Sequence, residues 1–324
     1  DALFVILAFS GGGTRAAALS YGVLEALRDT RIVWNDRKIS LLDEVDVISS
    51  ISGGSFPAAY YALYGSRLFD EFPNRFLYRP IETELIKSAL TPAGLLKLTG
   101  PSFGRSDLAA EFYEREVFGA RTYADIVAQR RRPFVILNAT DMSLGAQFSF
   151  TQDQFDLLCS DLSGVSVGRA AAASSAFPGL LTPLTFRNYA GSCDYRQPQW
   201  VDSAAKDRKS RINVGRGASA ERRLSYAGSG PVRRDYIHLT DGGVADNIGL
   251  REPLAAIANL NHSWSVLRLI NLDKVNKLVV IVVNAATDPA NDRDRTPNVP
   301  GLVDSVTAAA TVPLNNYSFD TLDL

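Results

Sequence analysis

The sequence predicts an α/β fold in which helices cover a parallel sheet, and two successive strand–turn–helix units carry this prediction. The first unit is the apolar run LFVILAF, the breaker SGGG and a helix-like stretch from Thr14 to Asp29. The second is the run EVDVISS, a Ser/Gly turn and an alanine-rich, helix-like stretch through Leu63. Two such units in a row are joined most simply in a parallel sheet with helices on its faces.

Later segments add strands and an inserted helical part. Residues 68–128 change to charged, helix-like segments broken by Pro and Gly, which predicts an inserted helical layer or lid; a plain helical flank is the alternative. We expect a single domain over residues 1–324 that contains this insertion. Three more apolar runs predict buried strands: RPFVILNATDM, DYIHLT and KLVVIVVNAA.

Composition argues against some classes of partner. The 324 residues carry a formal net charge of −1 and are 46% hydrophobic, as in an ordinary globular protein. Nucleic acid requires a strongly basic surface and is not an expected partner. No apolar run reaches the roughly 18 residues of a membrane-spanning helix. Because the chain starts at Asp1 without methionine and stops on an amphipathic stretch at Leu324, we expect a removed leader and a further C-terminal segment.

The two cysteines bear on the compartment. Cys159 and Cys193 are too few for a disulfide framework and form no C-x-x-C pair. A bridge between them would suit an oxidising compartment such as the periplasm, and two buried thiols would suit the cytoplasm. Their polar, loop-like surroundings favour the bridge, and with it a periplasmic or membrane-associated protein over a cytoplasmic one.

Residues 206–234 form the most basic stretch, with nine Lys or Arg against two acids and many Gly and Ser. Such a composition is typical of a solvated loop. The alternative is a contact surface for anionic lipid headgroups, because the stretch lies directly before DYIHLTDGG.

Ser52 is a candidate nucleophile because it follows a predicted strand. The run from Ser50 to Gly54 fits G-x-S-x-G, with serine in place of the first glycine. Small residues are needed there because such an elbow holds its serine in a strained backbone conformation and lets strand and helix approach closely. The alternative is an ordinary Ser/Gly turn.

A glycine-rich loop, FSGGGTRA, joins the first strand to the first helix. Its three glycines, residues 11–13, leave backbone N–H groups free to point at one spot, and the positive end of the helix favours negative charge there. The anion is either a phosphate or the oxyanion of a tetrahedral intermediate. Gly11-x-Gly13-x-x-Ala16 also fits a dinucleotide fingerprint. However, the following RIVWNDRKIS is polar and broken, and lacks the second strand with an acidic end which that fold requires.

Asp241, in DGGVADNIGL, is the candidate base. It ends the predicted strand DYIHLT, and the carboxyl ends of parallel strands form the sheet edge at which sites are usually built. His238 lies three residues earlier and so points to the opposite face, while His262 lies in a polar connection without a companion motif. An ordinary Asp has a pKa of about 3.9 and is a weak base for a hydroxyl, so the pair requires a desolvated site that raises this pKa.

Together these stretches resemble the bacterial patatin-like phospholipases, of the patatin and cytosolic phospholipase A2 type. That family shows a glycine-rich oxyanion loop followed by Arg or Lys, a G-x-S-x-G elbow, an Ala/Ser/Pro segment that lines the acyl channel, and Asp-Gly-Gly followed by Asn. The chain has these blocks in the same order: Gly11-Gly12-Gly13-Thr14-Arg15, Ser50 to Gly54, AAASSAFPGLLTP at 171–183, and Asp241-Gly242-Gly243 with Asn247.

The resemblance implies a three-layer α/β/α sandwich with a central, mostly parallel sheet. It also implies that Ser52 is the nucleophile and Asp241 the base of a Ser–Asp dyad. Ser50 departs from the family's first elbow glycine, at an expected cost in turn strain. The remaining residues that the resemblance assigns are the elbow support Ser50, Gly53 and Gly54, the oxyanion loop Gly11, Gly12, Gly13 and Arg15 with Gly12 and Gly13 as main donors, and the structural stretch Asp246 and Asn247.

The expected function is a lipid acyl hydrolase of phospholipase A or lysophospholipase type, with phospholipid or lysophospholipid as substrate. No cofactor and no metal are expected, because the sequence has no H-E-x-x-H, no EF-hand loop and no Cys/His cluster. Peripheral membrane contact is expected through the helical part of 68–128 or the basic stretch. The alternative, motivated by Ser50, is a lipid-binding or regulatory protein of the same fold without turnover.

Overall fold

A computed structural model describes residues 3–34, 37–198, 201, 211–228, 232–251, 253, 275, 277–286 and the single positions 301, 305, 308 and 311. The strands, in chain order, are β1 (Leu3–Phe9), β2 (Arg31–Trp34), β3 (Arg37–Ser40), β4 (Val45–Ile51), β5 (Phe134–Asp141), β6 (Ala146–Ser149), β7 (Leu184–Arg187), β8 (Tyr236–Asp241) and β9 (Lys277–Val283). The helices are α1 (Gly13–Asp29), α2 (Ser55–Tyr64), α3 (Leu68–Phe72), α4 (Ile81–Ala89), α5 (Pro92–Leu98), α6 (Arg105–Tyr113), α7 (Tyr123–Gln129), α8 (Gln152–Asp156), α9 (Val167–Ser174) and α10 (Arg211–Tyr226).

The central sheet is mostly parallel, which confirms the predicted fold class. Its parallel part runs in the order β9-β1-β4-β5, and β6, β7 and β8 join it with antiparallel pairing. β2 and β3 form a separate antiparallel pair. The dinucleotide-binding interpretation requires the strand after α1 to lie beside β1 in the main sheet. That strand, β2, pairs only with β3 outside the main sheet.

Alternate side chains of β1 enter two different cores. Val5, Leu7 and Phe9 belong to the large core that also contains buried residues of α1, α2, α6 and α9. Phe4 and Ile6 pack in a second cluster on the opposite face. Burial on both faces explains why the predicted strands read as continuous apolar runs rather than as alternating ones.

The insertion predicted over 68–128 is helical. It comprises α3 to α7, with π-helical turns at Pro73–Leu77 and Glu114–Phe118. α6 packs against α9, and α9 packs against β5, so this part is built onto the helical face of the sheet. A lid role for it stays a prediction.

The basic stretch corrects one expectation, because α10 covers much of residues 206–234 where a loop was predicted. Among its residues from 219 to 226, Ala220 is buried and Leu224 is partly buried in a small separate core, and Tyr226 is buried in the large core. Burial of these side chains offsets the low helix propensity of the Gly and Ser in the stretch, which the composition alone could not show.

Cys159 and Cys193 form a disulfide with a Cα–Cα distance of 5.6 Å, which confirms the predicted bridge. The cysteines are 34 positions apart, and the segment between them contains α9 and β7. A cross-link of this span restricts the unfolded chain by about 4 kcal/mol in the chain-entropy view. It thereby closes a loop around elements that border the site described next.

Candidate active site

Ser52 lies at a sharp turn between β4 and α2. Its φ of 49° is in the left-handed region, which costs a non-glycine residue about 1 kcal/mol or more. A Cβ on Gly53 would lie 1.9 Å from the carbonyl O of Gly13, and one on Gly54 would lie 2.8 Å from that of Ser10. The turn therefore has the strained strand-to-helix geometry that the sequence predicts, and it packs directly against the glycine loop.

The hydroxyl of Ser174 holds this turn from the side. Its Oγ accepts the backbone N–H of Ser52 at 2.9 Å and donates to the carbonyl O of Asn138 at 2.6 Å. Because its single hydrogen is used there, the 2.9 Å contact with Ser55 Oγ has Ser55 as donor. Ser174 lies in the AAASSAFPGLLTP segment, and no local pattern there predicts this contact.

Ser50, the departure from the elbow pattern, introduces no left-handed strain. It lies within the extended strand β4, is fully buried, and donates from Oγ to the carbonyl O of Ile136 at 3.0 Å. Its own carbonyl accepts from Asn138 Nδ2 at 3.1 Å. The expected cost in turn strain at Ser50 is therefore wrong, since the strain falls at Ser52 instead.

Asp241 is hydrogen-bonded to Ser52. Ser52 Oγ donates to Asp241 Oδ2 at 2.7 Å, and the N–H of Gly243 donates to Oδ1 at 2.8 Å. Asp241 is 4% exposed, and Ser52 is 7% exposed. Desolvation raises the pKa of Asp241 from 3.8 to about 6, against the opposing effect of the hydrogen bonds from Ser52 and Gly243. The carboxylate is thus a stronger base than an ordinary aspartate, as the desolvation argument requires.

β4 and β8 meet end to end along one edge of β5. β4 pairs with β5 up to Ile51 opposite Asn138, and β8 pairs from Asp241 opposite Ala139. β6 pairs with β5 over the same positions and so occupies the other edge. β8 is antiparallel to β5, so the prediction that Asp241 ends a parallel strand is wrong in direction. The two carboxyl ends nevertheless converge at Ser52, because they approach each other from opposite directions.

The glycine loop lies beside Ser52, and its residues from Gly12 to Arg15 are exposed. The N–H of Gly11 donates to the carbonyl O of Asn247 at 3.0 Å, so Gly11 anchors the loop and does not offer its N–H to an oxyanion. Gly12 caps α1, and Gly13 is its first residue. Their N–H groups therefore have no acceptor within the helix, and this leaves them as the candidate donors.

Two contacts tie this loop to the rest of the sheet. Arg15 Nε donates to the carbonyl O of Ala285, just beyond β9, at 3.2 Å. A Cβ on Gly11 would lie 2.4 Å from Asn247 Oδ1, so the loop also abuts the Asn247 side chain. Asp246, fully buried, accepts the N–H groups of Ile248 and Arg251 at 3.1 and 2.9 Å. These contacts agree with a structural role for residues 246 and 247.

Histidine does not join the site within the described residues. His238 is exposed on β8, and its Nδ1 is 3.0 Å from Thr185 Oγ1. Because it is separated from Asp241 by three residues, it lies on the other face of the strand. His262 lies outside the described residues.

Among the residues that the structure describes, no group of His, Cys, Asp or Glu side chains has the arrangement of a metal site. In the same part of the chain, no helix has the length and apolar character needed to cross a membrane.

A mostly parallel α/β sheet with a serine at a strained strand-to-helix turn is the arrangement used by enzymes with a nucleophile elbow. A model of the patatin-like phospholipase family matches residues 7–254, well over half of the chain. The chain belongs to the patatin-like phospholipase family. This family is one of hydrolases with lipid acyl hydrolase activity and lipid substrates. No curated protein gives a match.

Proposed function

We propose that the chain is a lipid acyl hydrolase of phospholipase A or lysophospholipase type that works through an acyl-enzyme on Ser52. The observation that carries this proposal is the 2.7 Å hydrogen bond from Ser52 Oγ to Asp241 Oδ2 in a buried site. A nucleophile within hydrogen-bond reach of a base is the geometric requirement for covalent catalysis. The pKa of Asp241, raised to about 6, supports its role as that base.

In the acylation step, Asp241 takes the proton of Ser52 while Oγ bonds to the ester carbonyl carbon. The carbonyl oxygen becomes an oxyanion, which the N–H groups of Gly12 and Gly13 and the positive end of α1 stabilise. Collapse of this intermediate breaks the bond to the leaving alcohol, which receives the proton from Asp241. The products of this half-reaction are the deacylated lipid and the acyl-Ser52 ester.

In the deacylation step, Asp241 takes a proton from water, and the hydroxide oxygen attacks the acyl-Ser52 carbonyl. The same glycine N–H groups stabilise the second oxyanion. Its collapse releases the fatty acid and returns the proton to Ser52 Oγ. Asp241 therefore acts first as base and then as acid in each half-reaction, and the cycle begins and ends with the same hydrogen bond.

The test is fatty-acid release from phospholipid and lysophospholipid vesicles in the presence of EDTA, with the intact chain, Ser52→Ala and Asp241→Asn. We expect metal-independent release from the intact chain, and a loss of at least about 10²-fold in each variant. Ser20→Ala is the matched control, because Ser20 is also a buried serine but lies in α1 away from the dyad.

A fluorophosphonate that labels active serines separates the possible failures. Labelling of the intact chain but not of Ser52→Ala, together with fatty-acid release, supports the proposal. Undiminished release by Asp241→Asn would require a different base. A folded intact chain that neither releases fatty acid nor reacts with the fluorophosphonate would instead be a lipid-binding protein of this fold.

A further inference from the structure

Five exposed apolar side chains lie on and beside α4 and α5: Ile86, Leu90, Leu95, Leu96 and Leu180. Each is at least 52% exposed, and we call this set the apolar rim. Ile86 and Leu90 are one helical turn apart and share a face, while the two leucines of α5 are adjacent. α4 contacts α5. Four of the five lie within residues 86–96. Exposed apolar side chains that are concentrated in one stretch, rather than scattered singly, indicate an interaction surface.

The apolar rim lies at the end of the molecule where Ser52 is found. α6 and α9 pack side by side in opposite directions: Gly104, before α6, abuts Thr182, after α9, whereas Gly168, near the start of α9, abuts Glu114, after α6. The last residue of α9 holds the backbone of Ser52. α5 ends six residues before α6 begins. Lys97, near the end of α5, lies 5.4 Å from the centre of the Phe103 ring just before α6 and also pairs with Glu111 in α6. α5 therefore lies beside α6, and its end is close to the start of that helix.

The loop that carries Leu180 is hydrogen-bonded at both of its ends. The N–H of Asp241 and the Oγ1 of Thr240 both donate to the carbonyl O of Ala176, at 2.9 and 2.8 Å. Six residues further on, Thr182 Oγ1 accepts the N–H of Ser106 at 3.2 Å, and the Ser106 hydroxyl donates to the Thr182 carbonyl O. The loop that carries Leu180 is thus held at one end by β8 and at the other by the start of α6.

The charged residues between and directly beside the rim leucines are cations, on a chain that is nearly neutral. Residues 85–106 include Lys87, Lys97 and Arg105 but no Asp or Glu, whereas the whole chain has 34 Lys or Arg and 35 Asp or Glu. The acids Glu82 and Glu84 lie in the first turn of α4, and Glu84 pairs with Arg79. All three cationic residues are exposed, and Lys97 also pairs with Glu111 at 2.6 Å. Anionic lipid surfaces attract such residues by about 1 kcal/mol each.

We infer that the apolar rim is the surface by which the protein docks on an anionic phospholipid bilayer. The leucines enter the boundary between headgroups and acyl chains, the cations contact lipid phosphates, and the end of the molecule with Ser52 then faces the membrane. The positive charge and the position beside Ser52 favour a bilayer over a second copy of this nearly neutral chain. The inference rests on the proposed function for its biological purpose, but membrane binding can be measured without turnover.

The test compares vesicle binding by the rim variant Leu95→Gln/Leu96→Gln with binding by the protein whose rim is unaltered. Both proteins carry Ser52→Ala, so that lipid is not consumed. We expect at least a tenfold loss of affinity for vesicles that contain phosphatidylglycerol, since interfacial binding scales with buried apolar area. Val127→Gln is the matched control. Val127 lies on α7 and is 69% exposed. Other residues of α7 line a cavity together with Tyr64, at the end of α2 that is away from Ser52.

Charge is tested with Lys87→Gln, which should weaken binding to phosphatidylglycerol vesicles about fivefold, the equivalent of about 1 kcal/mol, and respond less to added salt. Vesicles of phosphatidylcholine alone should bind more weakly than anionic ones in every case. Equal binding to the two vesicle types, equal binding by the rim variant, or an equal loss in Val127→Gln would overturn the inference. So would a dimer of the intact chain that the rim substitutions convert to a monomer.

A soluble short-chain ester separates this inference from the proposed function. With Ser52 present, the rim variant should hydrolyse that ester at the intact rate while losing release from anionic vesicles. If the intact chain hydrolyses neither substrate but binds vesicles through the rim, the proposed function fails and the docking surface stands. If the intact chain hydrolyses both substrates but the rim substitutions leave vesicle binding unchanged, the proposed function stands and the docking surface fails.

Discussion

The two halves of the candidate site, the buried dyad and the exposed glycine loop, are built in opposite ways. Around Ser52 and Asp241 the polar atoms are buried and bonded to protein partners, so the proton donor and acceptor have fixed positions. The loop from Gly12 to Arg15 is exposed and is tied to neighbouring strands at its ends. Proton transfer benefits from a dry, fixed pair, whereas an oxyanion needs backbone donors that a substrate can reach.

The largest effect is expected where the two halves touch. Gly53→Ala would place a Cβ 1.9 Å from the Gly13 carbonyl O and force the loop and elbow apart. We expect the hydrolysis rate to fall by at least about 10²-fold, because a shift of about 1 Å in reacting groups has that cost. Gly22→Ala is the control: its Cβ meets nothing within 4 Å, and alanine should stabilise α1 by up to about 1 kcal/mol. Equal rates in both variants would show that the close approach is not needed.

The buried half predicts a pH profile. In the proposed mechanism Asp241 must be deprotonated to act as base, so kcat/KM should be constant above its pKa of about 6 and fall tenfold for each unit below it. At pH 5 the rate should therefore be about one tenth of the plateau. The measurement is kcat/KM for a soluble ester from pH 4.5 to 8, with unfolding monitored in parallel. A profile that follows a pKa near 4 would mean that Asp241 is solvated in the working enzyme.

The raised pKa of Asp241 also affects stability: low pH, which should lower the rate, should stabilise the fold. Because the folded state raises the pKa of Asp241, protonation stabilises the fold; this contribution is complete below about pH 3.8 and is lost as the pH rises through about 6. Asp241→Asn cannot ionise, so its gain in stability over the intact chain should be greater at pH 8 than at pH 4, by up to about 3 kcal/mol. Thermal melts at the two pH values give this difference, and a pH-independent gap would contradict the assignment.

A smaller effect is expected when the support of the elbow is removed. Ser174→Ala deletes the acceptor of the Ser52 N–H, at a net cost of about 1 kcal/mol, so we expect kcat to fall about fivefold with little change in KM. Ser175→Ala serves as control, since the Ser175 hydroxyl donates to the Ala171 carbonyl O in the same helix. If both variants have equal kcat, Ser174 does not position the nucleophile.

The smallest effect is expected in the exposed half. Arg15→Ala removes the part-buried hydrogen bond from Nε to the Ala285 carbonyl O. Because Arg15 itself is exposed and a single hydrogen bond contributes little net free energy, kcat should fall about twofold. Steady-state kinetics alongside Ser174→Ala compare the two halves directly. A loss from Arg15→Ala greater than that from Ser174→Ala would reverse the comparison and make the loop the more sensitive half.

The five strands at the apolar runs, β1, β4, β5, β8 and β9, and the two hydrogen-bonded residues of the candidate dyad could be found in the sequence because each depends on a local pattern. Ser52 follows an apolar run and precedes two glycines, and Asp241 ends another run before two glycines. The direction of β8 could not be predicted, because it depends on which edge of β5 is free, and this is a property of the assembled sheet. Ser174 was missed for a related reason: its hydroxyl acts on a backbone N–H 122 positions away, and no local pattern marks such a contact.

Because β4 and β8 meet end to end along β5, their pairing with β5 determines how far Ser52 lies from Asp241. The distance between two residues 189 positions apart is set by where each strand begins to pair along a third one. A slip of one residue in the β5–β8 register would move Asp241 by about 3.3 Å and turn its side chain to the other face of the sheet. Substitutions in β5 that never touch a substrate can therefore abolish the dyad, and an inactive variant need not carry its change in the active site.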